Sequence, residues 1–212
     1  MVANFVGAPT GNLVDAMGGG GALGASVKPL AGAPATISGV ALVCDAGPGD
    51  NLALFAALEF ASPGDVIVVA TREYRGAAVL GDLLAGMARN GGVAGIVTDG
   101  LVRDVAGLAR VGLPVYCAGV SPNSPSRCGP GVVGEPIVIA GLVVACGDIV
   151  VGDGDGVVVV PRAAAAEVAA KLSDIRAAEA ALEARIEAGL RNLDSVKLLL
   201  GSDRVEYIGP PP

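Results

Sequence analysis

Apolar residues along the chain fall into short continuous runs and into helical stripes, and the two patterns alternate. Runs of strand length cover residues 65–70, 93–98 and 113–118. Segments that look helical cover residues 10–17, 50–61, 77–90 and 105–111, and the apolar positions of the third are Leu80, Leu83, Leu84 and Met87. Strands that alternate with helices predict a parallel α/β core.

The second half of the chain has a different pattern. Residues 132–160 form short β-like runs separated by turns, and two Asp-Gly pairs near the end of this stretch are hairpin signals. Pro161 then opens a long helical segment that reaches about Gly189. No repeat or linker divides the chain, so we predict one α/β domain over residues 1–212 with a β-rich second half, a C-terminal helix and a frayed tail at 209–212.

The composition of the chain predicts that much of its surface is buried. Hydrophobic residues make up 52% of it, mean hydropathy is +0.64, and only 17% of residues are charged, against about 25% in ordinary soluble domains. We therefore expect a large core or a buried oligomer interface. The most apolar stretch, residues 136–147, is 12 residues long, whereas a membrane-spanning helix needs about 20. With no basic-then-apolar signal segment at the start, the expectation is a cytoplasmic protein without membrane partners.

Charge and side-chain chemistry argue against some classes of partner and some catalytic mechanisms. A net charge of −7 and an aromatic content of 3% argue against nucleic acid as a partner, because such binding uses cations and stacking rings. The four scattered cysteines predict reduced, mostly buried thiols. The chain has no histidine, which removes the histidine-dependent nucleophile systems and histidine ligands for zinc. Catalysis would have to use carboxylates, Arg, Lys, Tyr, backbone amides and metal-bound water.

The segment Gly81-Asp82-Leu83-Leu84 is the first candidate site. Asp82 is expected to cap the free amides of a helix, which leaves the amides of Leu83 and Leu84 as donors for a carboxylate or phosphate. A capped helix without a ligand is the alternative interpretation.

Arg103 and Asp104 follow the next strand and form the second candidate site. If strands 65–70 and 93–98 are parallel neighbours, both loops lie at the same edge of the sheet, where α/β proteins bind ligands. Arg103 can hold a carboxylate and neutralise an enolate. Asp104 is a hard oxygen ligand suited to Mg²⁺ or Mn²⁺. The alternative is an ion pair in a solvated loop.

Glu179 is the third candidate. The apolar stripe of the long C-terminal helix has a gap between Ile175 and Leu182, and Glu179 occupies the position that would fill it. A carboxylate on a buried face is costly unless it is paired or near a cation. Glu179 is therefore expected to face a site, either in its own or in a neighbouring subunit, unless the helix is solvated there or an arginine pairs with it.

Three carboxylates, one arginine, free amides and no histidine favour metal-assisted enolate chemistry. The stretch 81–84, residues 95–99 and the pair Arg103-Asp104, 22 residues after Asp82, resemble the signature of the 4-hydroxy-4-methyl-2-oxoglutarate/4-carboxy-4-hydroxy-2-oxoadipate aldolases. These enzymes share a fold with the regulator of ribonuclease activity A. The similarity extends over Gly47-Pro48-Gly49-Asp50-Asn51, the turns at 147–156 and the helix end at 185–189.

The resemblance implies a β/β/α swivelling-domain type of fold and a set of roles. Asp104 would bind the divalent metal, with Asp82 holding a metal-bound water. Arg103 and the amides of Leu83 and Leu84 would hold pyruvate's carboxylate and oxo group. Glu179 would come from a neighbouring subunit of a homotrimer or homohexamer.

The implied reaction is a class II retro-aldol cleavage of a 4-hydroxy-2-oxo acid to pyruvate, with oxaloacetate decarboxylation as a side activity. Two departures from the family pattern, Ala178 in place of a basic residue and Glu183 in place of an arginine, concern the distal part of the substrate. Arg127 could reach a distal carboxylate, although a surface position is the simpler interpretation. The alternatives are a non-catalytic regulator that binds a protein, and a lyase for another 2-oxo acid.

Overall fold

The computed structural model describes residues 2–209, which form two compact units divided after Leu172. The helices of the first unit are α1 (Thr10–Ala16), α2 (Leu52–Phe60), α3 (Asp82–Asn90) and α4 (Val105–Val111), together with the start of α5 (Ala165–Glu187). Its strands are β1 (Lys28–Pro29), β2 (Ile37–Asp45), β3 (Asp65–Ala70), β4 (Ala78–Leu80), β5 (Gly95–Thr98), β6 (Leu101–Val102), β7 (Val115–Cys117), β8 (Val132–Val133), β9 (Ile137–Ile139), β10 (Leu142–Val144), β11 (Ile149–Gly152) and β12 (Val157–Val160). The second unit contains the rest of α5 and helix α6 (Asp194–Leu200).

The main sheet of the first unit has the order β1-β7-β5-β3-β2-β11-β12, with β8 paired to β2. Strands β2, β3, β5 and β7 are parallel, whereas β1, β8, β11 and β12 are antiparallel to their partners. The mixed α/β fold predicted from the sequence is therefore present. The predicted hairpin is present as well, because β11 and β12 pair across the two Asp-Gly turns.

Both faces of this sheet are buried, which explains why its strands read as continuous apolar runs. Ile67 and Val69 face a core shared with the helices, whereas Val66 and Val68 face a second core shared with the β9–β10 hairpin. Successive side chains of a strand point to opposite faces, so a strand covered on both sides needs apolar residues at every position.

Two predictions about the elements need correction. The longest strand, β2, was not predicted, although its residues 40–45 pair with β3 and its residues 37–40 pair with β11, so that it lies inside the sheet. The helix expected at 77–90 begins only at Asp82, and Leu80 lies in strand β4. Leu83 is 77% exposed and Met87 is 52% exposed, so the buried face of α3 consists of Leu84, Ala85 and Ala88 instead.

The burial of the cysteines differs in part from the prediction. All four are free thiols, but Cys128 and Cys146 are exposed, and only Cys44 and Cys117 are buried. Burial raises the pKa of the Cys44 thiol to about 12 and raises that of Cys117 as well. The two buried cysteines are therefore neutral core residues.

The remaining expectations concern the ends of the chain and the membrane. The long C-terminal helix is present as α5, although its first turn is a 3₁₀ turn at Arg162–Ala164. Of the tail predicted to be frayed, residues 210–212 lie outside the described part of the chain. Among residues 2–209, no helix combines the length and the apolar character that crossing a bilayer requires.

Candidate functional site

The two candidate loops meet because a short parallel pair joins them. Strand β4 pairs with β6, and the amide of Arg103 donates a hydrogen bond to the carbonyl oxygen of Leu80 at 3.0 Å. Gly81 and Arg103 are thereby brought side by side at the carboxyl edge of the sheet, where β3 and β5 are parallel neighbours. The prediction that both loops lie at one sheet edge is confirmed.

A cleft of about 380 Å³ opens at this place. Its walls contain all of the predicted site residues of the first unit, which are Gly81, Asp82, Leu83, Leu84, Arg103 and Asp104. Further residues complete the walls, namely Asn51, Phe55, Leu80, Met87, Ser124, Pro125 and Arg127. The two aspartates that lie 22 positions apart in sequence therefore share one cleft.

The beginning of α3 differs from the expected cap. Gly81 is the N-cap residue with an extended backbone, and Asp82 is the first helical residue, whose side chain forms no cap hydrogen bond. The first amides of a helix have no acceptor within the helix. The amides of Leu83 and Leu84 are two such donors, and the Asp82 carboxylate, which caps none of them, lies against Gly107 of α4.

Two glycines create the space for the site carboxylates. A Cβ atom at Gly81 would overlap Oδ2 of Asp104 and lie 3.1 Å from Cγ of Arg103. A Cβ atom at Gly107, in α4, would overlap the Asp82 carboxylate. Each aspartate therefore packs against a backbone that carries no side chain.

Asp104 lies in a strained backbone conformation next to its arginine. Its φ of 58° and ψ of 46° are in the left-handed region, which non-glycine residues adopt at a cost of about 1–3 kcal/mol and mostly at functional sites. Nε of Arg103 donates a hydrogen bond to Oδ2 of Asp104 at 3.1 Å, and both side chains are partly exposed. Nη1 of Arg103 donates to Oγ of Ser124. The guanidinium is held from two sides while its charge faces the cleft.

Ser124 and Arg127 lie in a loop that a buried aspartate fastens to the start of α2. Asp50 Oδ2 accepts hydrogen bonds from Ser126 Oγ at 2.8 Å and from the amides of Cys128 and Gly129 at 2.7 and 3.1 Å, and Asp50 Oδ1 accepts from the amide of Leu52 at 2.8 Å. Burial by itself would raise the pKa of Asp50, but these donors lower it well below its ordinary value of 3.8. The loop is therefore held by a carboxylate that stays ionised.

Replacing Asp50 with alanine is expected to lower the free energy of unfolding by about 3 kcal/mol at neutral pH, because several buried donors lose their acceptor. A carboxylate with a depressed pKa stabilises the folded state above its ordinary pKa and stops doing so as pH falls through the lower, folded-state value. The difference between the wild type and Asp50→Ala should therefore shrink toward pH 3 or below, as measured by urea unfolding. Asp194→Ala, which alters an exposed aspartate of α6, serves as the control. A difference that is constant with pH would contradict the role of the Asp50 charge.

The cleft offers carboxylate oxygens, Asp82 and Asp104, for a divalent cation. Among residues 2–209, no group of three or more acidic, cysteine or histidine side chains is placed to hold a metal ion. A closed all-protein metal cage is therefore absent from that part of the chain. Mg²⁺ retains several waters and needs only one or two carboxylates, so this donor set fits such an ion.

Glu179 is found in a different setting from the predicted one. It lies in the second unit, on the part of α5 that follows Leu172, where its side chain is exposed. The buried residues of α5 are Ala165, Val168 and Leu172, so the apolar stripe that Glu179 was expected to interrupt is not a buried face in the single chain. In the single chain the helix is solvated at this position, which is one of the alternatives given from the sequence.

Sequence reasoning assigned no site role to Asn51, Phe55 or Ser124, and it favoured a surface position for Arg127. Asn51 follows Asp50 in the Gly-Pro-Gly-Asp-Asn motif, which was a usable signal. Phe55 and Ser124 carried no local signal, because they reach the cleft through the contacts of α2 and of the loop fastened by Asp50.

Comparison with known proteins identifies one family, one relative and two similar solved structures. The family model described as RraA-like, Aldolase/RraA, matches residues 10–159. A Halalkalibacterium halodurans protein provisionally named 4-hydroxy-4-methyl-2-oxoglutarate aldolase is 36% identical over 161 residues, which is 76% of each chain. Among solved structures, Streptomyces coelicolor RraAS2, titled a member of the RNase ES inhibitor RraA family, has a TM-score of 0.76 at 30% identity and covers 87% of this chain and 96% of its own. The RNA-processing inhibitor RraA from Thermus thermophilus has a TM-score of 0.67 at 30% identity, over 73% of this chain and 93% of its own.

Proposed function

Because the chain belongs to the RraA-like (Aldolase/RraA) family, we propose that it is a divalent-metal-dependent lyase that cleaves a 4-hydroxy-2-oxo acid to pyruvate and a second oxo compound. The observation that supports this proposal is the shared cleft, whose walls contain Arg103, Asp104 and Asp82 together with Leu83 and Leu84 from the first turn of α3. A relative provisionally named as an aldolase supports the lyase class.

Substrate binding in this proposal uses the anion-binding end of the cleft. The amides of Leu83 and Leu84 donate hydrogen bonds to the carboxylate and oxo oxygens of the substrate, as helix starts do for anions. Arg103 adds a positive charge whose direction Ser124 and Asp104 maintain. A preoriented donor of this kind stabilises charge without reorganising during the reaction.

Bond cleavage then moves one proton and one electron pair. A water molecule held by Asp82 takes the proton of the C4 hydroxyl, a carbonyl forms at C4, and the electrons of the C3–C4 bond become the enolate of pyruvate. Arg103 stabilises the negative charge on the enolate oxygen. The proton taken up by Asp82 and its water is returned to C3 of the enolate, which leaves as pyruvate.

A divalent cation, Mg²⁺ or Mn²⁺, held by Asp104 and through water by Asp82, would supply positive charge to the substrate oxygens and lower the pKa of a bound water. The side chain of Asp104 is partly exposed to solvent. Glu179 of a neighbouring subunit in a homotrimer or homohexamer would complete the site, and oxaloacetate decarboxylation would proceed through the same enolate.

Removal of the metal is the test of this function. Chelator-treated protein is expected to release no pyruvate above the protein-free rate from a panel of 4-hydroxy-2-oxo acids or from oxaloacetate. Mg²⁺ or Mn²⁺ should restore release above the rate with the metal alone, because without a cation the two aspartates place negative charge beside the enolate. Pyruvate is measured directly by NMR. Release that persists after complete chelation would refute the metal's role, and no pyruvate from any substrate with metal present would refute the lyase.

The RraA neighbours support a second candidate, a regulator that inhibits a ribonuclease by binding it. Fold kinship by itself does not establish function, and regulation does not require the enolate-stabilising cleft. Inhibition of RNA cleavage by RNase E-type enzymes, unchanged in Arg103→Ala and without any pyruvate release, would favour this candidate over the lyase.

A further inference from the structure

Asp99 is a buried carboxylate that the proposed reaction does not use. It directly follows strand β5 and is 2% exposed. Its Oδ1 accepts hydrogen bonds from the amide and the hydroxyl of Thr71, at 2.7 and 2.9 Å. Its Oδ2 accepts from the amide of Glu73 at 3.0 Å, and its backbone carbonyl oxygen accepts from Nη1 of Arg75 at 2.6 Å. These bonds fasten the end of β5 to the loop that follows β3.

The two segments that Asp99 joins lead to the two halves of the candidate site. The loop after β3 leads into β4, which ends directly before Gly81. On the other side, Gly100 connects Asp99 to β6, which ends directly before Arg103. The contact between the segments is close, because a Cβ atom at Gly100 would overlap the threonine side chain that Asp99 binds. Asp99 therefore joins the two site loops at the point where each leaves the sheet.

The loop after β3 is held in a strained backbone conformation. Arg72 and Glu73 are successive residues with φ of 56° and 55°. Residues other than glycine keep this left-handed conformation only when the surrounding structure imposes it. Nη2 of Arg72 pairs with Oδ2 of Asp45 at 3.0 Å, but the Arg72 side chain is 67% exposed, so this ion pair contributes little. The bond from the Glu73 amide to the buried Asp99 carboxylate is the stronger constraint on the loop.

We propose that Asp99 is a positioning residue, which sets the separation of the Asp82 and Asp104 carboxylates by fixing the loops that carry them. This inference rests on the proposed function for the roles of those two aspartates. The loops also meet through the pairing of β4 with β6, but that pairing is short and its register is irregular. Without Asp99, β4 could shift along β6, and the two carboxylates would no longer be placed to share one hydrated cation.

Asp153 provides a matched control, because it has the same kind of partners outside the cleft lining. Its carboxylate accepts hydrogen bonds from the amide and the hydroxyl of Thr10, both at 2.8 Å, and from the amide of Asp155 at 2.9 Å. It joins the turn between β11 and β12 to the start of α1. Asparagine at either position replaces an accepting oxygen with an NH₂ group that cannot accept. Asp99→Asn and Asp153→Asn thus remove the same interaction, and only the first acts on the site loops.

Hydrogen exchange tests the inference without any ligand. The amide of Arg103 donates across the β4–β6 pair to Leu80. Its exchange, followed by NMR at a temperature where both variants are folded, should be about tenfold faster in Asp99→Asn than in Asp153→Asn. Thr71→Val, which removes one donor to Asp99, should give part of this effect, and Thr71→Ser, which keeps the hydroxyl, should restore slow exchange. Equal exchange in the two asparagine variants would overturn the inference.

Metal binding tests the consequence for the site. In Mn²⁺ titrations followed by EPR, the dissociation constant should be about tenfold higher for Asp99→Asn than for the wild type, because residues that orient metal ligands contribute about tenfold to a hundredfold to affinity. Asp153→Asn should bind Mn²⁺ as the wild type does. At saturating Mg²⁺, kcat for pyruvate release should fall by about tenfold in Asp99→Asn and stay unchanged in Asp153→Asn.

These measurements separate the inference from the proposed reaction. Faster exchange at Arg103 and weaker Mn²⁺ binding in Asp99→Asn, with no pyruvate released by the wild type, would refute the lyase and leave the role of Asp99 in place. Pyruvate release by the wild type, with Asp99→Asn equal to Asp153→Asn in exchange and in Mn²⁺ affinity, would refute the role of Asp99 and leave the lyase. A wild type that binds no Mn²⁺ would refute the metal-dependent function, and the exchange at Arg103 would then decide the role of Asp99.

Discussion

Replacing Arg103 with alanine should lower the turnover of pyruvate release by about a hundredfold or more, because one preorganised charge that stabilises a developing anion contributes roughly 3–4 kcal/mol to the barrier. Asp104→Ala should have an effect of the same size, since it removes both the carboxylate proposed for the cation and the partner of Nε of Arg103. The measurement is kcat with saturating substrate and Mg²⁺.

Two comparisons make this result specific. Ser124→Ala removes only the acceptor of Nη1 of Arg103, so it should reduce kcat less than Arg103→Ala does. Arg162→Ala removes an exposed arginine outside the cleft lining and should leave kcat unchanged. Near-normal turnover in both Arg103→Ala and Asp104→Ala would remove the basis for the assigned roles.

Adding a single methyl group at Gly81 should reduce turnover by about tenfold to a hundredfold, since displacement of a catalytic group by about 1 Å has effects of that order. The new Cβ in Gly81→Ala would overlap Oδ2 of Asp104. The backbone of Gly81 is extended, with φ of −136°, which alanine adopts without strain. Gly107→Ala should act in the same way through the Asp82 carboxylate. Steady-state kinetics with Mg²⁺ gives the effect on kcat for both variants.

Gly86→Ala is the matched control for these variants. Gly86 lies in α3, and a Cβ there meets no atom within 4 Å. This change should stabilise the helix by up to about 1 kcal/mol and leave turnover intact. If Gly86→Ala lowers kcat as much as Gly81→Ala does, the loss comes from the helix and not from the position of Asp104.

Much of the site followed from local sequence, and the errors have physical causes. The Gly-Asp and Arg-Asp segments were recognisable because each follows an apolar strand run, and both line the cleft. Leu80 was placed in a helix because its spacing to Leu84 suits α3, yet long-range pairing of β4 with β6 extends the backbone there. Glu179 was assigned to a buried face on periodicity alone, which cannot distinguish a stripe packed in the core from one exposed in the single chain.

The amino-acid sequence alone determined the kinds of chemistry that this protein can use and the alternation of strands and helices. Those properties depend on side-chain type and on spacing within a few residues, which the order of residues specifies directly. The tertiary structure alone decided that Asn51, Phe55, Ser124 and Arg127 form the other wall of the cleft. Their meeting depends on the Asp50 hydrogen bonds, which join residues 76 and 78 positions apart in the chain, and such distant pairings leave no local periodicity to detect.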